Sequence, residues 1–304
     1  VGAVKYIDWS SKHNILIHNP DGSYSPMDEP YFVSEKVCEG VWKILSAGDY
    51  CYLIEGSAKA IAIDTGYGAG NIREYMQSLT PRPLSEVINT HDHFDHTANN
   101  AYFDRAYMSA ETAKLATIPF ASFAGIRFPA DYEHVIVKEG YIFDLGDKTL
   151  EVFSIPDHAV GSIAMLDRAD RLLFTGDEFM PMPMGKTLNV SVARFAGYLE
   201  KLEAHRSEFD RICGGNGVLD ATLIDSYRDC AAYILGGHEG DCVETGSRPK
   251  MPPVPGVKGH IVYDRQLPHE GDGGAGMMGD DLVDKRIMRY AGVSIVYGTE
   301  RQDS

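Results

Sequence analysis

The chain has 304 residues, enough to bury a substantial core as one large domain or two smaller ones. Its apolar share of 44% and charged share of 24% are those of an ordinary globular protein. A formal net charge of −16 and a pI near 5.0 argue against non-specific affinity for nucleic acid or an anionic membrane surface, and no apolar run reaches the ~20 residues that span a bilayer.

Residues 1–40 mix turn formers (Asn19-Pro20-Asp21-Gly22, Pro26, Pro30) with short apolar pieces and read as an N-terminal arm. Its opening stretch lacks the charged-then-apolar layout of a secretory signal. The five cysteines, Cys38, Cys51, Cys213, Cys230 and Cys242, are scattered and without CxxC spacing, so the expected compartment is the reducing cytoplasm.

A catalytic domain is expected over residues 41–245. It opens with β-rich runs at Val41–Leu45, Tyr50–Glu55 and Ala58–Asp64, the last two joined by a tight turn at Gly56-Ser57. Helical spacing over Asn71–Leu79 ends at Pro81 and Pro83, and Glu86–Asn89 reads as a short buried strand. A helix at Ala110–Thr117 and an aromatic-rich stretch, Pro119–Tyr132, follow. Strands are expected at His134–Val137, Thr149–Ile155, Ser162–Asp167 and Arg171–Thr175. Ser191–Arg206 and Ala221–Leu235 read as amphipathic helices around a strand and turn at Asp210–Gly217. Residues 246–304 read as a C-terminal extension: a proline-rich lead, a strand at Gly259–Asp264, a glycine-rich loop at Gly271–Gly279, a helical piece near Leu282–Met288 and a last strand, Val293–Tyr297. This order points to a layered α/β protein.

Thr90-His91-Asp92-His93-Phe94-Asp95-His96 is the most informative segment. Histidines at i and i+2 of an extended run point the same way, so both reach one ion, while Asp95 and His96 can serve a second. Imidazole and carboxylate are the ligands of catalytic Zn²⁺, which keeps one position open for water. Three of the 11 histidines fall in this heptapeptide, directly after an apolar strand, which sets it apart from a polar loop. Further ligands must come from elsewhere: His158 stands in a turn just after a strand, and Asp177 ends another.

In that order the residues resemble the metallo-β-lactamase superfamily, whose pattern is HxHxDH, a later His, a later Asp and a final His. The resemblance spans roughly residues 40 to 235 and includes Ala62-Ile63-Asp64-Thr65-Gly66, similar to that family's first motif. It implies a four-layer αββα sandwich carrying a C-terminal extension. It further implies that His91, His93 and His158 hold a first metal, that Asp95 and His96 hold a second, and that Asp177 bridges them. Asp64 would orient a ligand from behind.

The pattern breaks at Arg211-Ile212-Cys213-Gly214-Gly215-Asn216-Gly217, where Asn216 stands in place of the final His. An amide oxygen is a weaker donor for Zn²⁺ and suits harder ions, so the second site is expected to be weakly occupied or to prefer Mn²⁺ or Fe²⁺. Three accounts stay open: Asn216 as a ligand, a one-metal site, or an engineered His→Asn that disables the enzyme. Asp157 stands where the family commonly has Gly, and His205, His238, His260 and His269 default to surface roles.

The expected chemistry is hydrolysis of a small ester, thioester, lactone or amide by hydroxide from a centre of one or two Zn²⁺ ions, with Asp95 passing a proton to the leaving group. No Gly-x-Ser-x-Gly elbow supports a covalent nucleophile. An adaptable apolar pocket is expected from Phe120, Phe123, Phe128 and Tyr132 with Met180 and Met182, and Lys186 or Arg194 would meet a substrate carboxylate. A small molecule is the expected partner, with no nucleic acid or membrane, and a homo-oligomer is allowed. The competing functions are a mononuclear iron enzyme of the persulfide dioxygenase kind, nucleic-acid processing, and a binding protein whose site has degraded.

Overall fold

The structure, a computed structural model, describes residues 16–18, 24–26, 32–46, 49–66, 71–116, 132–180, 185–243, 260–262 and 285–299. Two short strands, β1 (Leu16–His18) and β2 (Tyr24–Pro26), precede a meander of β3 (Phe32–Cys38), β4 (Val41–Ser46), β5 (Asp49–Glu55) and β6 (Ala60–Ile63). Neighbouring strand residues point to opposite faces, so β5 buries Tyr52 and Ile54 on one side and Cys51 and Leu53 on the other.

Helix α1 (Ile72–Ser78) begins at Asn71, whose side chain accepts from the Glu74 amide at 3.1 Å, and it returns the chain so that β7 (Leu84–Ile88) runs parallel to β6. A single turn, α2 (Phe94–Thr97), leads to β8 (Arg105–Met108), to α3 (Ala110–Leu115) with Ser109 as its cap, and to β9 (Glu133–Ile136). Strands β3 to β9 form one seven-stranded sheet in chain order.

The second half repeats the scheme. Strands β10 (Ile142–Asp144), β11 (Thr149–Ser154), β12 (Ile163–Asp167) and β13 (Leu172–Gly176) pair antiparallel in sequence. After β14 (Lys186–Thr187), α4 (Val192–Glu203) starts at the Ser191 cap and carries the chain back, so β15 (Arg211–Gly214) joins β13 in parallel. Next come β16 (Gly217–Asp220), α5 (Thr222–Leu235), β17 (Asp241–Cys242), β18 (His260–Val262), β19 (Lys285–Tyr290) and β20 (Val293–Gly298). The six-stranded sheet runs β10-β11-β12-β13-β15-β16, a four-stranded one runs β14-β20-β19-β17, and β18-β1-β2 make a small third.

Three apolar clusters show the layering. Tyr52, Ile54, Ile61 and Ile63 of the first sheet meet Leu150, Val152, Met165 and Phe174 of the second, so the two sheets pack face to face. The outer face of the first sheet covers Ile72 and Met76 of α1. The outer face of the second covers Phe195 and Leu199 of α4 and Ile224 and Tyr227 of α5. This is the four-layer αββα sandwich expected. Among the described residues no helix is long and apolar enough to cross a membrane.

The boundaries differ from expectation at both ends. β3 lies within the presumed N-terminal arm yet pairs with β4 as part of the first sheet. The helical piece near Leu282–Met288 is strand β19 over Lys285–Tyr290, paired with β20 through Ala291 and Gly292, both at positive φ (52° and 81°). That two-residue turn imposes a hairpin whatever the helical spacing before it. Met288, Val293, Ile295 and Tyr297 join the core around α4 and α5, so residues 285–298 are part of the sandwich and not an appendage. The glycine-rich loop at Gly271–Gly279 lies outside the described residues.

Candidate metal centre

Parallel pairing of β6 with β7 brings their C-terminal ends side by side, and these ends supply Asp64 and the His91 segment. Asp64 has φ 59°, a left-handed conformation that Asp tolerates better than most side-chain-bearing residues. Its buried carboxylate accepts from the Thr90 amide at 2.8 Å, from Thr90 Oγ1 at 2.7 Å and lies 2.9 Å from His96 Nδ1. One carboxylate thereby holds both ends of the histidine segment. It also fixes the His96 ring so that Nε2 faces away from it, towards Asp177 Oδ1 at 3.4 Å.

His91, His93 and His158 converge although they come from two sheets. His91 Nε2 is 3.0 Å from His93 Nδ1, which is 3.1 Å from His158 Nε2. Nitrogens bound to one tetrahedral Zn²⁺ at ~2.0–2.1 Å stand about 3.3 Å apart, so the spacing fits a shared ion. Burial, reinforced by the neighbouring imidazoles, lowers His93 to about 3 and pushes His91 well below the usual range. Burial likewise lowers His158 to about 4 against the pull of Asp177. Neutral imidazole is the form that binds metal.

A second group lies beside the first. One ligand atom each of Asp49, Asp95, His96 and Asp177 fall within 4.8 Å of one another, and His91, His96 and Asp177 form an overlapping set. Burial opposes charge on His96, yet Asp177, Asp64 and Asp95 raise it well above the usual imidazole value. Burial raises Asp95 to about 6, partly offset by His96. Asp177 is held well below the ordinary carboxylate range despite its burial, because His96 faces it. His96 Nε2, Asp95 Oδ1 and Asp177 Oδ1 are all buried without a hydrogen bond, and such atoms are costly unless something else satisfies them. A divalent cation fits that need.

Asp49 escaped the sequence reading. Its signal was available only through topology: β5 is antiparallel to β6, so the first residue of β5 lies beside the end of β6, where Asp64 stands.

Other expected site residues are placed differently. Lys186 is buried, with Nζ 2.7 Å from Asp157 Oδ2 and 2.8 Å from Glu178 Oε1, and is out of reach of a substrate carboxylate. The network braces the metal-facing turn: Glu178 Oε2 accepts from the His158 amide, and Asp157 Oδ1 accepts from the amides of Asn189 and Val190. Tyr132 is a core residue whose hydroxyl accepts from Asn100 Nδ2 at 3.2 Å. Met180 sits by the site, its Sδ accepting from Asn216 Nδ2 at 2.8 Å. Phe120, Phe123, Phe128 and Met182 lie outside the described residues. Arg194 lines a cavity of ≈500 Å³ with Pro156, Asp157, Val160 and Gly161, on the turn that carries His158, but none of the clustered ligands borders it.

The neutral state of His158 has a measurable consequence. Its folded value near 4 lies below the unfolded ~6.5, so between those pH values the unfolded chain binds the extra proton and acid destabilises the fold. The stability advantage of the metal-free chain over His158→Gln is expected to fall by about 2 kcal/mol from pH 8 to pH 5. Urea unfolding in chelator measures it, and a pH-independent gap would contradict the assignment.

Residues 48–238 match the family described as the metallo-beta-lactamase superfamily. The human protein named acyl-coenzyme A thioesterase MBLAC2 is 32% identical over an alignment covering 41% of this chain and 56% of that protein. A hydroxyacylglutathione hydrolase of Rhodospirillum rubrum is 27% identical, covering 56% of this chain and 63% of that one. The chain thus spans somewhat over half the length of these relatives. The crystal structure of the metallo-beta-lactamase FIM-1 from Pseudomonas aeruginosa, in a mono-zinc form, superposes with a TM-score of 0.54 at 16% identity, covering 69% of this chain and 98% of that one, a likeness of fold.

Proposed function

The chain belongs to the metallo-β-lactamase superfamily, and from that premise we propose that it is a metal-dependent hydrolase that cleaves a small-molecule thioester. The observation that carries the proposal is the convergence of the three neutral imidazoles of His91, His93 and His158 beside the unsatisfied atoms of His96 and Asp177. The relatives' names, an acyl-CoA thioesterase and a hydroxyacylglutathione hydrolase, support the substrate class.

In this reading His91, His93 and His158 hold one metal, and Asp95, His96 and Asp177 contribute to another. A bound divalent metal supplies Lewis acidity and lowers the pKa of a coordinated water from ~15.7 to about 7. The protein's own groups do the rest. Asp64 keeps the His96 ring turned so that Nε2 faces the site. Asp95, set among the second ligand group, would pass a proton from a carboxylate oxygen to the departing group. A thiolate leaves readily, so the thioester asks little of that acid. Met180 offers the acyl chain a soft, polarizable wall next to Asn216.

The test is a panel of acyl-CoA and acyl-glutathione thioesters, oxygen esters, lactones and a β-lactam, offered to the Zn²⁺- or Mn²⁺-loaded chain. Release of free thiol, abolished by chelator and restored by metal, is the expected outcome. Inert thioesters, or one iron per chain with oxygen consumption, would overturn the reading.

A further inference from the structure

The loop that carries the final imidazole ligand in the family pattern carries Asn216 here, and the structure directs its amide nitrogen to Met180 Sδ. The space beside it is filled from another strand. The Tyr50 amide donates to the Gly215 carbonyl at 2.9 Å, tying the start of β5 to the Asn216 turn. Asp49, the preceding residue, is thereby set within one ligand group with Asp95, His96 and Asp177. The turn itself lies hard against this group: a Cβ at Gly215 would meet Asp177 Oδ1 at 2.0 Å and His96 Cε1 at 3.1 Å.

Two independent features point to a cation. His96 is fully buried, and its Nε2 faces the cluster without a hydrogen bond, as do Asp95 Oδ1 and Asp177 Oδ1. Moreover, three carboxylates gather around one imidazole, and among the described residues no Lys or Arg is ion-paired with any of the three. Carboxylates crowded together favour an opposite charge between them.

We infer that Asp49 is a ligand of the second metal and takes over the coordination place left by Asn216, giving that site three carboxylates and one imidazole. The inference rests on the metal-centre reading above. It changes the expectation drawn from Asn216 alone, because the second site becomes strong and hard instead of weak. The first site offers three imidazoles and selects Zn²⁺. The second offers mainly oxygen, which suits Mn²⁺ or Fe²⁺. The chain is thereby built for two unlike metals.

The test loads the metal-free chain with equimolar Zn²⁺ and Mn²⁺ and reads metal content per chain by mass spectrometry and Mn²⁺ affinity by electron paramagnetic resonance. The expected result is one Zn²⁺ and one Mn²⁺. Asp49→Asn should weaken Mn²⁺ binding at least about 10-fold and leave the Zn²⁺ in place. Asp49→His should exchange the Mn²⁺ preference for Zn²⁺, and Asn216→Ala should retain both ions. Tight Mn²⁺ binding by Asp49→Asn, loss of it in Asn216→Ala, or a wild-type chain that takes only the first ion would overturn the inference. A chain that binds no metal at either site would instead overturn the metal-centre reading. Circular dichroism of each variant separates ligand loss from unfolding, and Asn216→Ala decides the matter should Asp49 variants misfold.

Discussion

Replacing His93 by alanine is expected to leave a folded chain that has lost its first-site metal and at least about 100-fold of its turnover. The expectation follows from geometry: His93 Nδ1 lies between His91 Nε2 at 3.0 Å and His158 Nε2 at 3.1 Å, the middle of three converging nitrogens. Losing an outer partner of a metal ligand already costs about 10- to 100-fold in affinity or activity, and losing a ligand removes a bond to the ion itself. The fold should survive because His93 belongs to none of the three apolar clusters. The measurements are metal content per chain, thioester turnover, and a thermal melt in chelator, where variant and parent should nearly coincide. Full metal content or turnover within a few-fold of the parent would remove His93 from the site.

Lys186→Ala is expected to destabilise the fold by about 3–5 kcal/mol without touching a proposed metal ligand, the cost of breaking a buried ion pair by removing one partner. Lys186 and Glu178 are almost entirely buried, as is Asp157, so both carboxylates would be left without their cation. Burial already raises Glu178 to about 7 with Lys186 in place. Without that cation Glu178 favours its neutral form further, so the deficit should be largest at pH 8 and shrink towards pH 5, as protonation relieves the unpaired charge. Denaturant titrations at the two pH values measure this. Adding Glu178→Gln should recover part of the loss, since one fewer buried charge then lacks a partner. A loss under about 1 kcal/mol would mean that water reaches the network and the pair counts for little. Because Glu178 Oε2 accepts from the His158 amide, weaker first-site metal binding should accompany the lost stability.

The two substitutions fall on opposite sides of what the sequence discloses. His91, His93, Asp95 and His96 fall within six residues, where a bend leads into one helical turn, so their spacing was legible as chemistry before Asp64 was seen to anchor both ends. The β-rich runs of β4, β5 and β6 and the helical spacing of α1, α4 and α5 are equally local, which is why those elements were recognised to within a few residues while β3, β8 and β10 were not. Lys186 shows the opposite case. Its sequence neighbours give no sign of burial, and only β14, pairing with the distant β20, carries it to Asp157 and Glu178. Tyr132 looked like a pocket aromatic for the same reason, since the Asn100 amide that binds its hydroxyl is remote in sequence.

The sequence by itself determined the His/Asp heptapeptide and a layered α/β order, both written in residue type and short-range spacing, while the sandwich class and the departure at Asn216 came through the resemblance to the metallo-β-lactamase superfamily. Tertiary structure alone decided what surrounds them. It brought His158 and Asp177 to the heptapeptide and folded residues 285–298 into the core. It set Asp49 beside Asp95, His96 and Asp177 through antiparallel β5 and the Tyr50–Gly215 bond. The reason is physical: side-chain direction within a strand depends on adjacent residues, whereas strand order and register depend on burying whole faces at once.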